Sequence, residues 1–184
     1  MTARTGDAEP DRPDDFDSLV RRHRPRVFRF LLASLRNRET AENLTQDCFI
    51  RAYRARNQFR GASSAATWFL QIAANLVRSH ESSSRLKFWR RSLHQDADIA
   101  DLDIAIPDRR HSPETQALVR EQVRAIWTAA AGLPPRQRTV FLLRFVEDMD
   151  LLEIAEVTGM KEGTVKAHLF RALQTVRARL EGTK

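Results

Sequence analysis

The side chains of this chain that are best placed to do chemistry are placed for recognition. Ile154, Ala155, Gly159 and Val165 have the spacing of a helix-turn-helix. Alanine lets two helices cross closely, glycine permits the left-handed turn between them, and valine packs the second helix on the first. The second helix then turns Lys161, Thr164, Lys166, Ala167, His168, Phe170 and Arg171 outward. Cations, a hydroxyl and an aromatic ring on one helix face are the groups that contact phosphates and base edges in a major groove. A second set, Phe59, Arg60, Ser63, Ser64, Thr67, Trp68, Asn75 and Arg78, mixes hydrogen-bonding groups with aromatic faces and could accept unstacked bases. Within it, Trp68 and the neighbouring Phe69 are read first as core.

Catalysis has little to stand on. The five histidines (His23, His80, His94, His111, His168) are scattered, and none pairs with Cys48 or a carboxylate at a metal-ligand or nucleophile-base spacing. Solvated surface is their expected place. No glycine-rich phosphate loop occurs. The expectation is no enzyme activity, no cofactor, no metal and no small-molecule substrate. Cys48, the single cysteine, cannot form an internal disulfide, and its predicted place is the inner face of a helix.

Charge says what is recognised. Lysine and arginine number 31 against 24 acids, a net charge of +7, and 27 of the 31 cations are arginine. The planar guanidinium fork suits phosphate and guanine edges. By segment the balance is −4 over residues 1–17, +12 over 18–95, −5 over 96–108 and +4 over 109–184. A polyanion is the natural partner. With 184 residues, 42% of them apolar and 30% charged, the chain suffices for one or two small soluble domains. No apolar run approaches the roughly 20 residues that cross a bilayer, and the N-terminus is acidic rather than signal-like, so the cytoplasm is the expected compartment and no membrane insertion is expected.

The elements that must hold these residues are all helical. A first helix carries Phe16, Leu19, Val20 and His23 and, beyond a kink or break at Pro25, Val27, Phe30, Leu31 and Leu35. Thr40 is positioned to cap a second helix with Ala41, Leu44, Cys48 and Ala52 inward and Phe49 and Tyr53 alongside. Phe59 to Thr67 reads as a loop before a third helix bearing Trp68, Phe69, Ile72, Ala73 and Leu76. Residues 86–112 read as an acidic flexible linker, with Ile99, Leu102, Ile104 and Ile106 able to form a short docking turn. A fourth helix follows Ser112-Pro113, with the stripe Leu118, Val119, Val123 and Ile126, and ends at Gly132 and Pro134-Pro135. Helix returns over 136–147. Asp150 and Glu153 form a capping-box start to the next, Gly159 ends it, and the last turns Val165, Leu169, Leu173 and Val176 inward. No strand and no repeat is expected.

Read in order, these motifs resemble an RNA polymerase sigma factor of the extracytoplasmic-function group of the sigma-70 family. AENLTQDCFIRAYR (41–54) followed by FRGASSAATWFLQIAANLVR (59–78) is similar to the family's region 2. LPPRQRTVFLLRFVEDMDLLEIAEVTGMKEGTVKAHLFRAL (133–173) is similar to its region 4. The resemblance implies two small all-α domains: an acidic tail over 1–14, region 2 over 15–85, a linker over 86–112, and region 4 over 113–184 with its helix-turn-helix at about 151–171. It implies that Glu42, Gln46, Asp47 and Arg51 dock on core RNA polymerase. It implies that Arg60, Ser63, Ser64, Thr67, Trp68, Asn75 and Arg78 melt and read the minus-ten element of promoter DNA. Lys161, Thr164, Lys166, Ala167, Phe170 and Arg171 then fall on the readers of the minus-thirty-five element. An anti-sigma factor is the further partner expected, and a membrane-bound one would bring the protein to the membrane.

The proposal has a span to satisfy. Elements two helical turns apart are about 70 Å from each other, and the 27 residues 86–112 reach at most about 90 Å extended. As a free coil they average only about 30 Å, so unbound domains are expected to collapse together or be clasped by an inhibitor. Two other classes fit parts of the chain. A DNA-binding regulator would use the helix-turn-helix as a dimer without polymerase, but leaves the first 85 residues unexplained. A helical adaptor would bind polymerase and never read DNA.

Overall fold

The computed structural model describes residues 16–59, 61, 63–88 and 113–182. The acidic tail, Arg60 and the linker residues 89–112, including the expected docking turn, lie outside the described residues. Seven α-helices and no strand occur among those described: α1 (Phe16–Leu35), α2 (Arg38–Ala55), a short 3-10 turn (Arg56–Gln58), α3 (Ala65–Phe88), α4 (Pro113–Ala131), α5 (Pro135–Phe145), α6 (Leu151–Thr158) and α7 (Glu162–Glu181).

Helices α1 to α3 form one unit. Its core gathers Leu19, Val27, Phe30 and Leu31 of α1, Ala41, Cys48, Phe49 and Ala52 of α2, and Phe69, Leu70, Ala73 and Val77 of α3. Phe69 sits at its centre, wholly buried, with ring centroids of Phe49, Trp68, His23 and Phe16 at 5.0, 5.2, 5.4 and 6.3 Å. The Cys48 thiol donates to the Phe69 carbonyl at 3.5 Å. Burial pushes its pKa from 9.0 up to about 12, against the pull of Arg51. Because the unfolded thiol ionises first, Cys48 contributes stability that is intact below pH 9.0 and is lost as pH rises toward about 12. Native protein at pH 8 should therefore be labelled by an aromatic disulfide reagent no faster than it unfolds; prompt stoichiometric labelling would count against this packing.

Several boundaries differ from the sequence expectation. Helix α1 runs unbroken through Pro25. The proline is exposed, so the Arg21 carbonyl deprived of its amide partner faces water, while buried side chains on both flanks hold one axis. Asn37, not Thr40, caps α2: its side chain accepts from the Thr40 amide at 2.8 Å. That geometry depends on Arg36 taking a left-handed φ of 54°. Helix α3 starts at Ala65, inside the expected loop, because Ser64 Oγ accepts from the Thr67 amide at 3.1 Å. It also continues to Phe88.

Helices α4 to α7 form the second unit around Leu133, Val140, Leu142, Leu143, Ile154, Val157, Val165, Ala172 and Val176. Ile126 and Leu173, expected inward, are 37% and 41% exposed. Ala172 is buried and Trp127 packs partly against the core instead; on α7 the inward face is Val165, Leu169, Ala172 and Val176, so only one position of the expected stripe differs. Arg179 of α7 donates to the Ala129 and Gly132 carbonyls at 2.8 and 3.0 Å, closing the end of α4. Helix α5 stops at Phe145, two residues short of the expected Glu147, and Asp148 turns the chain with a left-handed φ of 52°.

The helix-turn-helix begins with both halves of a capping box. Asp150 Oδ1 accepts from the Glu153 amide at 2.8 Å, and Glu153 Oε2 accepts from the Asp150 amide at 2.7 Å. Gly159 ends α6 with φ 68°. A Cβ there would meet nothing within 4 Å, so Gly159→Ala should cost about 1–2 kcal/mol through backbone strain alone. Thermal unfolding of the full chain measures this, and an unchanged midpoint would contradict the assigned conformation.

The two units do not stand apart. α5 packs on α1 and α6 on α3, and the buried residues of both units form one continuous cluster.

Candidate nucleic-acid interface

The recognition face is built by the packing just described. Val165 and Ile154 are wholly buried between α6 and α7, which fixes the rotation of α7 and turns Lys161, Thr164, Lys166, Ala167, Phe170 and Arg171 to the surface. Phe170 is 62% exposed. An aromatic ring left in water among cations suits an apolar contact such as a thymine methyl. Lys166 Nζ lies 2.6 Å from Glu162 one turn earlier, both on the surface. His168 departs from the outward set: it is half-buried. Burial first, then the charges of Arg171 and Arg136, push its pKa below the ordinary 6.5 and keep it neutral near pH 7. His23 likewise leaves the expected surface to lie against Phe69.

The second candidate set is divided by the fold. Ser64 and Thr67 are engaged at the start of α3, their hydroxyls 2.9 Å apart, and Thr67 is buried. Trp68 is half-buried and stacks on Phe59, centroids 4.8 Å apart and planes at 25°. Ser63 is half-buried in the preceding loop. Asn75 and Arg78 form an exposed pair, Arg78 Nη2 donating to Asn75 Oδ1 at 2.7 Å. Both open into a crevice of about 200 Å³ between the two units.

On α2, Glu42, Gln46, Asp47 and Arg51 are all exposed. Glu42 accepts from Arg38 Nε at 3.1 Å. Glu42 and Gln46 line a groove of about 650 Å³ between α1 and α2, together with Asn43, Phe49, Ile50, Tyr53 and Arg54. Asp47 and Arg51 lie outside its lining. The sequence reading passed over Ile50 and set Tyr53 beside the inward stripe, whereas they are 42% and 51% exposed. Their signal was present: positions 43, 46, 50 and 53 form one helical stripe beside the buried stripe 41, 45, 48 and 52. No cluster of three metal-ligating side chains occurs among the described residues, and none of their helices is long and apolar enough to cross a membrane.

The chain thus joins a capped helix-turn-helix with a cationic outer face to a three-helix unit packed against it. The family model for sigma-70 region 2 matches residues 19–85, and that for sigma-70 region 4 matches residues 123–176. The RNA polymerase sigma-H factor of Pseudomonas aeruginosa is 31% identical over 163 residues, covering 88% of this chain and 83% of that protein. The ECF RNA polymerase sigma-E factor of Haemophilus influenzae is 29% identical over 167 residues, covering 90% and 87%. Among solved structures, the sigma factor RpoE of Bartonella quintana, in complex with the anti-sigma factor NepR, superposes with TM-score 0.71 at 20% identity, over 91% of this chain and 97% of that one. This chain belongs to the sigma-70 family of RNA polymerase sigma factors, in its extracytoplasmic-function group. The match over 19–85 accounts for the residues that a regulator with only a helix-turn-helix leaves unexplained.

Proposed function

We propose that this chain directs core RNA polymerase to specific promoters through three working surfaces. α2 docks on the polymerase through Glu42, Gln46, Asp47 and Arg51, with Ile50 and Tyr53 adding apolar area in the adjoining groove. The loop with Arg60 and Ser63, and α3 with Trp68, Asn75 and Arg78, take the melted minus-ten strand, while Ser64 and Thr67 position that helix. Lys161, Thr164, Lys166, Ala167, Phe170 and Arg171 read the minus-thirty-five element. The working division is region 2 over 15–85, a linker over 86–112 and region 4 over 113–184. Opening the duplex needs no bond cleavage, because flipping a base costs a few kcal/mol that a shaped site and backbone contacts offset. The protein acts at the nucleoid, and an anti-sigma factor restrains it, as NepR is bound to the similarly folded RpoE.

The observation that carries this reading is the helix-turn-helix with every expected minus-thirty-five reader exposed, in one chain with a region 2 unit. Run-off transcription with core polymerase on a pool of genomic promoter fragments tests it. Discrete start sites that need this protein are expected. No gain of initiation, with the protein alone footprinting a palindromic site, would replace it by a dimeric regulator.

A further inference from the structure

His168 completes a stripe on α7. Positions 161, 164, 168 and 171 follow one another at helical spacing. The imidazole therefore lies between residues proposed above as readers, one turn beyond Thr164 and one turn before Arg171. Lys166 and Phe170 fall on the opposite edge of the outer face. α5 packs on α7, and its exposed Arg136 bears on the ring together with Arg171. Those two guanidiniums are the charged groups that face His168. From α4 and α6, the other helices packed on α7, no charge bears on it among the described residues.

The ring is half-buried, and its two nitrogens differ. Nδ1 is buried without a hydrogen-bond partner, whereas Nε2 is neither buried nor bonded. Buried ring nitrogens are ordinarily paired, and an imidazole protonated on both nitrogens donates from both. The unbound chain sets no negative charge against such a cation, because the charged neighbours of the ring are themselves donors. Burial and those neighbours keep it neutral near pH 7. A backbone phosphate of bound DNA inverts that setting. It draws Arg136 and Arg171 to itself and puts a negative charge beside a ring that otherwise meets only positive ones. An opposite charge within about 4–6 Å favours the protonated imidazole by about 1–3 pKa units, and a charge-assisted hydrogen bond is roughly twice as strong as a neutral one.

We propose that His168 is a further contact for the upstream element: with Arg136 and Arg171 it grips a backbone phosphate, and it does so as an imidazolium, taking up one proton from solvent as the DNA binds. No bond of the chain or of the DNA breaks; the ring gains a proton and the phosphate stays an anion. This contact rests on the assignment of the outer face of α7 to the minus-thirty-five element. The complex holds more protons than the free partners, so binding tightens as pH falls, by at most about 10-fold per pH unit for a single proton. A cation added on a phosphate also releases counterions, so the dependence on salt steepens as the ring becomes charged.

The test uses the holoenzyme formed by core RNA polymerase and the full chain. It is titrated with a fluorescent duplex carrying only the minus-thirty-five element of a promoter found by run-off transcription, and with a second duplex in which that element is scrambled. Wild type should bind the intact duplex about 3- to 10-fold more tightly at pH 6 than at pH 8, as one added phosphate neighbour requires. The slope of log affinity against log salt concentration should steepen over the same interval by about half to one unit. His168→Gln, which keeps a polar side chain and cannot charge, should lose both changes and bind at pH 6 as wild type does at pH 8. His168→Arg carries its charge at every pH and should bind at pH 8 as tightly as wild type does at pH 6, which a merely structural role for the ring would not produce. An equal response to pH in wild type and His168→Gln overturns the proton-linked contact. A pH response with an unchanged salt slope overturns the phosphate as its ligand. Failure of wild type to distinguish the two duplexes at either pH overturns the assignment of α7, and the contact of His168 with it.

Discussion

Phe69→Ala should lower the unfolding free energy of the full chain by about 3–5 kcal/mol, the range for emptying a buried aromatic site. Phe69 is 0% exposed and meets two rings from α1, one from α2 and one from its own helix. Removing its side chain leaves a space bordered by three helices, none of which can fill it alone without giving up its other contacts. The loss includes the edge-to-face geometry with Phe49, 5.0 Å between centroids at 62°, worth about 0.5–1.5 kcal/mol beyond area in comparable pairs. Urea unfolding followed by far-ultraviolet circular dichroism measures the change. A shift under about 1 kcal/mol would mean that Phe69 is not the keystone of the first unit. The same variant should expose Cys48 to thiol reagents, since the Cys48 thiol packs against the Phe69 backbone.

The second large effect is on promoter choice. Replacing Lys166 and Arg171 together by alanine should reduce run-off transcription from a promoter with an intact minus-thirty-five element by roughly 100-fold, at about 1–3 kcal/mol for each lost base or phosphate contact. Both side chains are exposed, so the fold should keep its melting temperature within a degree or two. Lys166 is held by Glu162 at 2.6 Å in the unbound chain. A surface pair one helical turn apart is worth only about 0.3–0.5 kcal/mol, so DNA competes for that lysine easily. The decisive comparison is with a promoter whose upstream element has been scrambled: wild type should separate the two templates, and the double variant should transcribe both equally. Undiminished selectivity in the double variant would favour the adaptor that binds polymerase and never reads DNA.

The local features of the fold were readable one residue at a time. Asp150, Glu153 and Gly159 announce the start and stop of α6 because a capping box and a left-handed glycine act within a few residues. Cys48 falls on the buried stripe of α2 for the same reason of period. Features that depend on neighbouring segments were misread. The cap of α2 moved to Asn37 because Arg36 adopts a left-handed turn that no composition rule requires. Pro25 failed to interrupt α1 because core contacts on both flanks outweigh one missing amide bond. Leu173 gave way to Ala172 because a helix crossing closely over another buries its small residue and leaves the large one at the rim.

The site was legible in kind and not in state. The types and order of Lys161 to Arg171, and of Phe59 to Arg78, are what nominate two sets for DNA contact without any knowledge of packing. Nothing local announces that Glu147 is buried, because its partners Arg26 and Arg29 lie 121 and 118 residues earlier. Nor does it announce that Asn75 and Arg78 lie across a crevice from Arg136 and Met160. The sequence by itself determined the helices, the capping box and terminal glycine of α6, and the family, since these depend on interactions spanning a few residues or on matched side-chain types. Only the tertiary structure decided which apolar residues are core, which surface remains open and how the two units meet, because burial is a property of two surfaces brought together and no single segment contains both.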